Sequence, residues 1–219
     1  NSITIDVNLD AKTDVLKIQQ EIVYFNKATV PLSEIYLYHW ANSFKDRSSP
    51  LTQRLIEDYK KSLYFANNTE RGYSDIINIS VDFNPASFSI PKKQTDILKV
   101  NLDKPLEPSD SVKIVITYTV KIPSSKFTGY GKTTTGYHLR YWYLSPVIYN
   151  NGWQLMSNLN MDDMYSDVAD YNIKLTTSKG FNISSNLQQT AIDSTKYHLQ
   201  GVNKTDIIIS ITKTNNFRE

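Results

Sequence analysis

Three histidines, His39, His138 and His198, are the residues that could bind zinc, but each is isolated in sequence. No HExxH occurs, and no His pair sits at the i, i+4 spacing that puts two imidazoles on one face of a helix. The chain has no cysteine, which removes thiolate metal sites, disulfides and a Cys nucleophile. Gly129-Tyr130-Gly131-Lys132-Thr133 has the outline of a phosphate loop. The glycine that such a loop needs five positions before Gly131 is Lys126, and the next segment has strand rather than helix periodicity. It reads as a polar β loop. Asn158, Asn160 and Asp162 have the spacing that opens a calcium loop, but Asp163 stands where its glycine turn belongs and Ala169 where its bidentate Glu belongs. Asp162, Asp163, Asp167 and Asp170 remain an acidic run on a loop. No GxSxG elbow is present, and no carboxylate pair stands out for glycoside hydrolysis.

The densest chemistry lies in Tyr137-His138-Leu139-Arg140-Tyr141-Trp142-Tyr143. Continued as one strand, it puts Tyr137, Leu139, Tyr141 and Tyr143 on one face and His138, Arg140 and Trp142 on the other. Such a face is either a stacking platform for a sugar or peptide, or the filling of a sheet-on-sheet core. The sequence leaves both open.

The elements that position these residues are mostly strands. Ile3, Ile5, Val7 and Leu9 alternate with polar residues, and Leu16, Ile18, Ile22 and Tyr24 continue the period on a second strand interrupted by Gln20. The turn-forming Asp10–Asp14 stretch makes them a hairpin. Val112, Ile114, Ile116, Tyr118, Val120 and Ile122 give the clearest alternation in the chain. Ile77, Ile79, Val81 and Phe83 form another set, and Asn150-Asn151-Gly152 is a hairpin turn ahead of Trp153. Against this background, Ser49 and Pro50 cap a helix expected over 51–65, with Leu51, Leu55, Tyr59 and Leu63 on one face and Glu57 paired with Lys61. The expected fold is all-β, mainly antiparallel, a sandwich or saddle of layered sheets with that single inserted helix. No interior boundary is visible, so residues 1–219 read as a single β domain.

With 24 basic and 22 acidic residues the charges nearly cancel, and no basic face points to nucleic acid. The apolar runs are a few residues long, and no transmembrane segment is expected.

Several segments, in order, resemble the N-terminal domain of the M1 family of zinc aminopeptidases, the gluzincins, in its Bacteroidetes-like branch. The opening strands resemble the family's first hairpin. Leu32 to Phe44 resembles its L-x-E-L-Y-F-x-x-x-x-N-A-F segment, and Pro105–Tyr118 its P-L-x-P-G stretch, with Ser109 where glycine is usual. Tyr141-Trp142-Tyr143 with Trp153 resembles its Q-W-Y-P…W region. Met161 to Leu175 resembles F-D-E-P…A-x-F-x-I-x-L, with Asp163 at the family aspartate. The resemblance implies a noncatalytic, saddle-like domain that packs on a downstream thermolysin-like catalytic domain and helps wall the peptide-substrate cleft. HExxH and G-x-M-E-N are absent from the sequence, so zinc is expected in the catalytic domain and no catalytic residue or metal ligand here. Arg140, Tyr141 and Asp163 are the substrate-cleft candidates. In the family a Gln or Glu near this point binds the substrate's free amine. Tyr141 matches that position, and its phenol cannot supply a carboxylate. Asp163 is expected to fix its loop by hydrogen bonds.

Two other readings compete with this one. A carbohydrate-binding β-sandwich requires a solvent-exposed row of Tyr and Trp, and an immunoglobulin-type interaction module fits the helix poorly. The Asn-, Tyr- and Thr-rich composition suggests an exported, periplasmic or cell-surface location.

Overall fold

The computed structural model describes residues 1–160 and 164–213. Alternation of apolar and polar residues becomes alternation of burial along β1 (Ser2–Asp10), where Ile3, Ile5, Val7 and Leu9 point inward. β2 (Val15–Phe25) pairs with it antiparallel through the expected hairpin. β3 (Leu32–Tyr38) leads into a short 3-10 turn, Trp40–Phe44, and then α1 (Pro50–Glu57). β4 (Tyr73–Val81), β5 (Asn84–Pro85), β6 (Phe88–Ser89), β7 (Ile97–Leu106) and β8 (Ser111–Lys121) follow. Next come β9 (Gly131–Lys132), β10 (Gly136–Arg140) and β11 (Ser145–Pro146). The chain closes with β12 (Ala169–Thr176), β13 (Asn182–Ser185), β14 (Gln188–Ala191), β15 (Lys196–Lys204) and β16 (Ile208–Thr212).

These strands form three sheets. The largest runs β14-β15-β12-β1-β2-β8-β4-β5; the others run β13-β16-β10-β9 and β11-β3-β7-β6. One apolar core joins inward residues of all three, including Ile5, Ile22 and Ile116 from the first, Leu139 and Ile209 from the second, and Ile35 and Val100 from the third. Each such side chain contributes about 1.5–3 kcal/mol by leaving water. The fold is therefore all-β and layered, with one α-helix among the described residues, inserted between β3 and β4. β1 and β12 are parallel neighbours with Ser2 opposite Asp170, a pairing between strands far apart in the chain that no local pattern announces.

Three expectations need correction. The helix stops at Glu57 rather than near residue 65. Tyr59 takes φ +60°, its N–H bonds the Ile56 carbonyl at 2.9 Å and the Lys60 N–H bonds the Leu55 carbonyl at 2.7 Å. That is a Schellman ending with tyrosine at the left-handed position. Tyr59 is consequently exposed, while Leu51, Leu55 and Leu63 are buried, and Glu57 pairs with Arg54 within the helix. The Ile77–Phe83 alternation breaks at a bulge between Ile76 and Asn78 that turns Ile77 outward, and Phe83 lies exposed in the turn after β4. The aromatic stretch is not one strand either: β10 ends at Arg140, and Tyr141 has φ +53°.

Gly136 shows how tightly the second sheet is closed. A Cβ there would lie 1.9 Å from the Ile211 carbonyl oxygen on β16, so a side chain would force the two strands apart.

Candidate functional site

A buried glutamine sets up the aromatic segment. Gln20, the polar interruption in β2, is fully buried. Its Nε2 donates to the Leu144 carbonyl at 2.6 Å, and its Oε1 accepts from Tyr118 Oη at 2.5 Å and from the Leu144 N–H at 3.2 Å. The main sheet thus grips the chain where it leaves β10 and turns inward. Tyr143 packs edge-on against Tyr171, with their hydroxyls 3.2 Å apart.

A cavity of about 190 Å³ lies between the 3-10 turn, the end of β8, the 128–131 loop and β10. Trp40 and Phe44 wall it from the turn; Leu139, Tyr141 and Trp142 wall it from the β10 segment. Trp40 and Tyr141 meet edge-to-face at 4.9 Å. Both also strap the following segment: Trp40 Nε1 donates to the Met156 carbonyl at 2.9 Å, and Tyr141 Oη accepts from the Met164 N–H at 3.1 Å. Tyr38 Oη completes the strap, sharing its one proton between the carbonyls of Gln154 and Tyr165, each 3.0 Å away.

Arg140 forms another part of the wall. Its Nε and Nη2 each lie 2.8 Å from Asp206 Oδ2, and its guanidinium sits 4.5 Å over the Tyr141 ring and 5.7 Å over Tyr130. Burial pulls its pKa down, but the bonds to Asp206 and the neighbouring tyrosines outweigh that and raise it. Two polar atoms of the wall residues are buried without a partner, Trp142 Nε1 and Thr128 Oγ1.

Of the residues singled out in the sequence, Arg140 and Tyr141 meet at this cavity. Asp163, with Met161 and Asp162, lies outside the described residues. Tyr137, Tyr141, Trp142 and Tyr143 are all buried, so the aromatic stretch is core material that also lines a cavity. Trp40, Thr128 and Tyr130 were not foreseen as lining residues. The local signal for Thr128 and Tyr130 was the Gly129–Gly131 loop, whose Gly131 has φ +131° and no room for a Cβ beside the Pro123 carbonyl.

The histidines do not converge. His138 is exposed with Nδ1 2.7 Å from Ser210 Oγ, and His198 bonds Asn172 Oδ1 at 2.6 Å. His39 Nε2 hydrogen-bonds Ser74 Oγ, an atom pair that hydrolases use for nucleophilic attack. Here both residues are buried and burial pulls the His39 pKa down to about 3, which leaves a poor base with no path for substrate. Among the described residues no three His, Asp or Glu side chains gather to hold a metal ion. Asn158 uses its Oδ1 on the Asn160 N–H, Asp167 pairs with Lys27, and Asp170 accepts from the Asn203 N–H.

The sequence matches no protein-family profile and no curated protein. The fold has matches among solved structures. The M1 zinc metallopeptidase from Deinococcus radiodurans aligns with TM-score 0.52 and 10% identity over 95% of this chain and 40% of that one. A mutant of that enzyme aligns with TM-score 0.53 and 12% identity over 96% of this chain and 41% of its own. A mutant bound to a Tyr-Ser-Ala substrate aligns with TM-score 0.52 and 11% identity over 97% and 41%. At these identities the likeness is one of fold. The chain spans about two fifths of the length of the structures it matches.

Proposed function

We propose that this chain is the noncatalytic N-terminal domain of an M1-like zinc metallopeptidase of the Bacteroidetes-like branch. In this reading it packs on a thermolysin-like catalytic domain and helps wall a peptide-substrate cleft. The observation that carries the reading is coverage: nearly all of this chain lies on about two fifths of two-domain M1 zinc metallopeptidase structures. The collinear sequence segments support the same assignment. Tyr165 and Val168, within the 161–175 segment that resembles the family, and Leu159 just before it are also partly exposed, where a neighbouring domain would cover them.

The described residues do not fit a zinc site. The zinc of this reading belongs to the catalytic domain, and no step of its chemistry runs through this chain. What this chain supplies is a wall. Tyr141 is held by Trp40 and the Met164 N–H, and Arg140 is neutralised by Asp206. In this reading Tyr141, beside Arg140, stands where the family's Gln or Glu binds the substrate amine, and its phenol cannot supply a carboxylate. The glycan-binding reading requires the aromatics of residues 137–143 to be exposed, and their burial weighs against it.

Reading the source frame downstream of the Glu219 codon tests the proposal. HExxH followed by a third ligand Glu, with G-x-M-E-N, is the expected result. An unrelated domain there would overturn it.

A further inference from the structure

We propose that Asp96 is the positioning residue of the surface on which the catalytic domain docks, because its carboxylate seats the segment that carries Leu159 and Tyr165. The identity of the docking partner rests on the peptidase reading; the seating rests on the present chain alone. Between Trp153 and β12 the described residues form neither helix nor strand. A segment without a ladder must satisfy its backbone groups elsewhere, and this one does so on side chains from the ends of other elements. Tyr38 serves it at Gln154 and Tyr165, Trp40 at Met156 and Tyr141 at Met164, all with neutral hydrogen bonds.

Asp96 is the charged anchor. It stands just before β7 and is fully buried, and its backbone carbonyl accepts the His39 N–H at 2.8 Å. Its Oδ2 accepts from the Asn158 N–H at 2.7 Å and from Ser43 Oγ at 3.2 Å. Both contacts are donors, the partners that a carboxylate takes. None of the ion pairs among the described residues includes Asp96. A buried carboxylate without a cation is costly to keep. The bond to Asn158 uses its charge, and such bonds are roughly twice as strong as neutral ones. Asn158 is itself buried, while the next residue, Leu159, is 39% exposed. At the far end of the segment Tyr165 is 48% exposed, with its own carbonyl on Tyr38. Side chains held outward on an anchored backbone lose less freedom when a partner covers them. The catalytic domain is that partner, because nearly all of this chain aligns with only about two fifths of two-domain M1 zinc metallopeptidase structures.

Amide hydrogen exchange tests this, first in the present chain and then in the chain extended by its source frame downstream of Glu219. In the chain itself, Asp96→Ala should speed exchange at Asn158 and Asn160 about tenfold, the value of one hydrogen bond to a charged group, while β1, β2 and β8 keep their rates. Asp96→Asn keeps a neutral acceptor and should speed it only about threefold. Unchanged exchange at Asn158, or an equal rise throughout the sheets, would overturn the seating and the proposal with it. If Asp96→Ala does not fold, Asp96→Asn decides by the same two readings. In the extended chain, residues 158–160 and 164–165 should exchange more slowly than in the chain alone, and Asp96→Ala or Asp96→Asn should reduce that extra protection. No extra protection there, beside an HExxH domain, would overturn the docking surface and leave the peptidase reading standing. A downstream frame without that domain would overturn the peptidase reading and the docking partner together, while the seating of Asn158 is still read in the chain alone.

Discussion

His39 and Gln20 show how much one buried polar side chain can decide. His39 lies in the third sheet's edge of the core, with its backbone N–H on the Asp96 carbonyl at 2.8 Å. Its Nδ1 and the Oδ1 of Asp96 are both buried without partners. Burial, helped by the charge of Lys45, depresses the His39 pKa to about 3 from an ordinary 6.5. The unfolded chain takes up this proton below pH 6.5 and the folded chain does not, so stability falls as pH drops from about 6.5 toward 3. The slope of this contribution is about 1.4 kcal/mol per pH unit. Asp96 opposes it: burial raises its pKa, so between its unfolded value of 3.8 and its raised folded value it adds stability as pH falls. Urea unfolding at several pH values should show the net loss on acidification, and His39→Gln should flatten it between pH 6.5 and the Asp96 range. Gln20 acts by geometry rather than charge. Gln20→Leu leaves the Leu144 C=O and the Tyr118 O–H proton without their partner, while the Leu144 N–H keeps Tyr118 Oη as acceptor at 3.3 Å. About 3 kcal/mol should be lost in urea unfolding, at 1–3 kcal/mol per stranded buried group partly relieved by the added apolar contact. The near-ultraviolet circular dichroism of Trp142 and Tyr143 should weaken with it.

Among the elements, α1 shows a strong start signal and an unsignalled stop. Ser49 Oγ accepts from the Thr52 N–H at 3.3 Å and Pro50 occupies the first turn, as the sequence indicates. The Leu51–Leu63 spacing nevertheless extends past the real end. Leu63 reaches its apolar cluster with Phe44, Leu55 and Phe127 from a separate turn. Four-residue spacing marks burial on a shared face, and a turn can deliver that burial as well as a helix can. Tyr59 is strained at φ +60° and exposed, so its ring does little to offset the strain. Tyr59→Gly should stabilise the protein by about 0.5–1 kcal/mol, visible as a higher thermal midpoint.

At the scale of the whole molecule, Asp14 links two sheets through its carboxylate. It is 8% exposed in the β1–β2 turn, at φ +56°. Its Oδ2 meets Lys132 Nζ at 2.9 Å and Lys121 Nζ at 3.3 Å, and its Oδ1 accepts from Tyr137 Oη at 2.9 Å. One carboxylate thereby ties the largest sheet to β9 and β10, the strands beside the cavity. Burial acts to raise its pKa, but the bonds from Lys132, Tyr137 and Lys121 outweigh it and the net shift is downward. Its stabilising effect is present above the unfolded value of 3.8 and is lost as pH falls through the depressed folded value. Asp14→Asn should cost about 2 kcal/mol at neutral pH and remove that part of the acid transition in urea titrations. It should also raise hydrogen exchange along β10.

By itself the sequence determined the strand periods of β1, β2 and β8, the β1–β2 hairpin, the Asn150–Gly152 turn and the helix cap at Ser49. These are local, because side chains alternate across a strand and a cap bonds its own first turn. It also placed Arg140 and Tyr141 together, as chain neighbours. Only the tertiary structure decided that β1 lies parallel to β12, that Gln20 holds Leu144, and that Trp40, Thr128 and Trp142 enclose one cavity. Each joins residues far apart in the chain. Many strands here have equally suitable apolar faces, so local pattern cannot choose among partners. The choice falls to the one packing that buries all those faces together while satisfying the polar groups they carry inward.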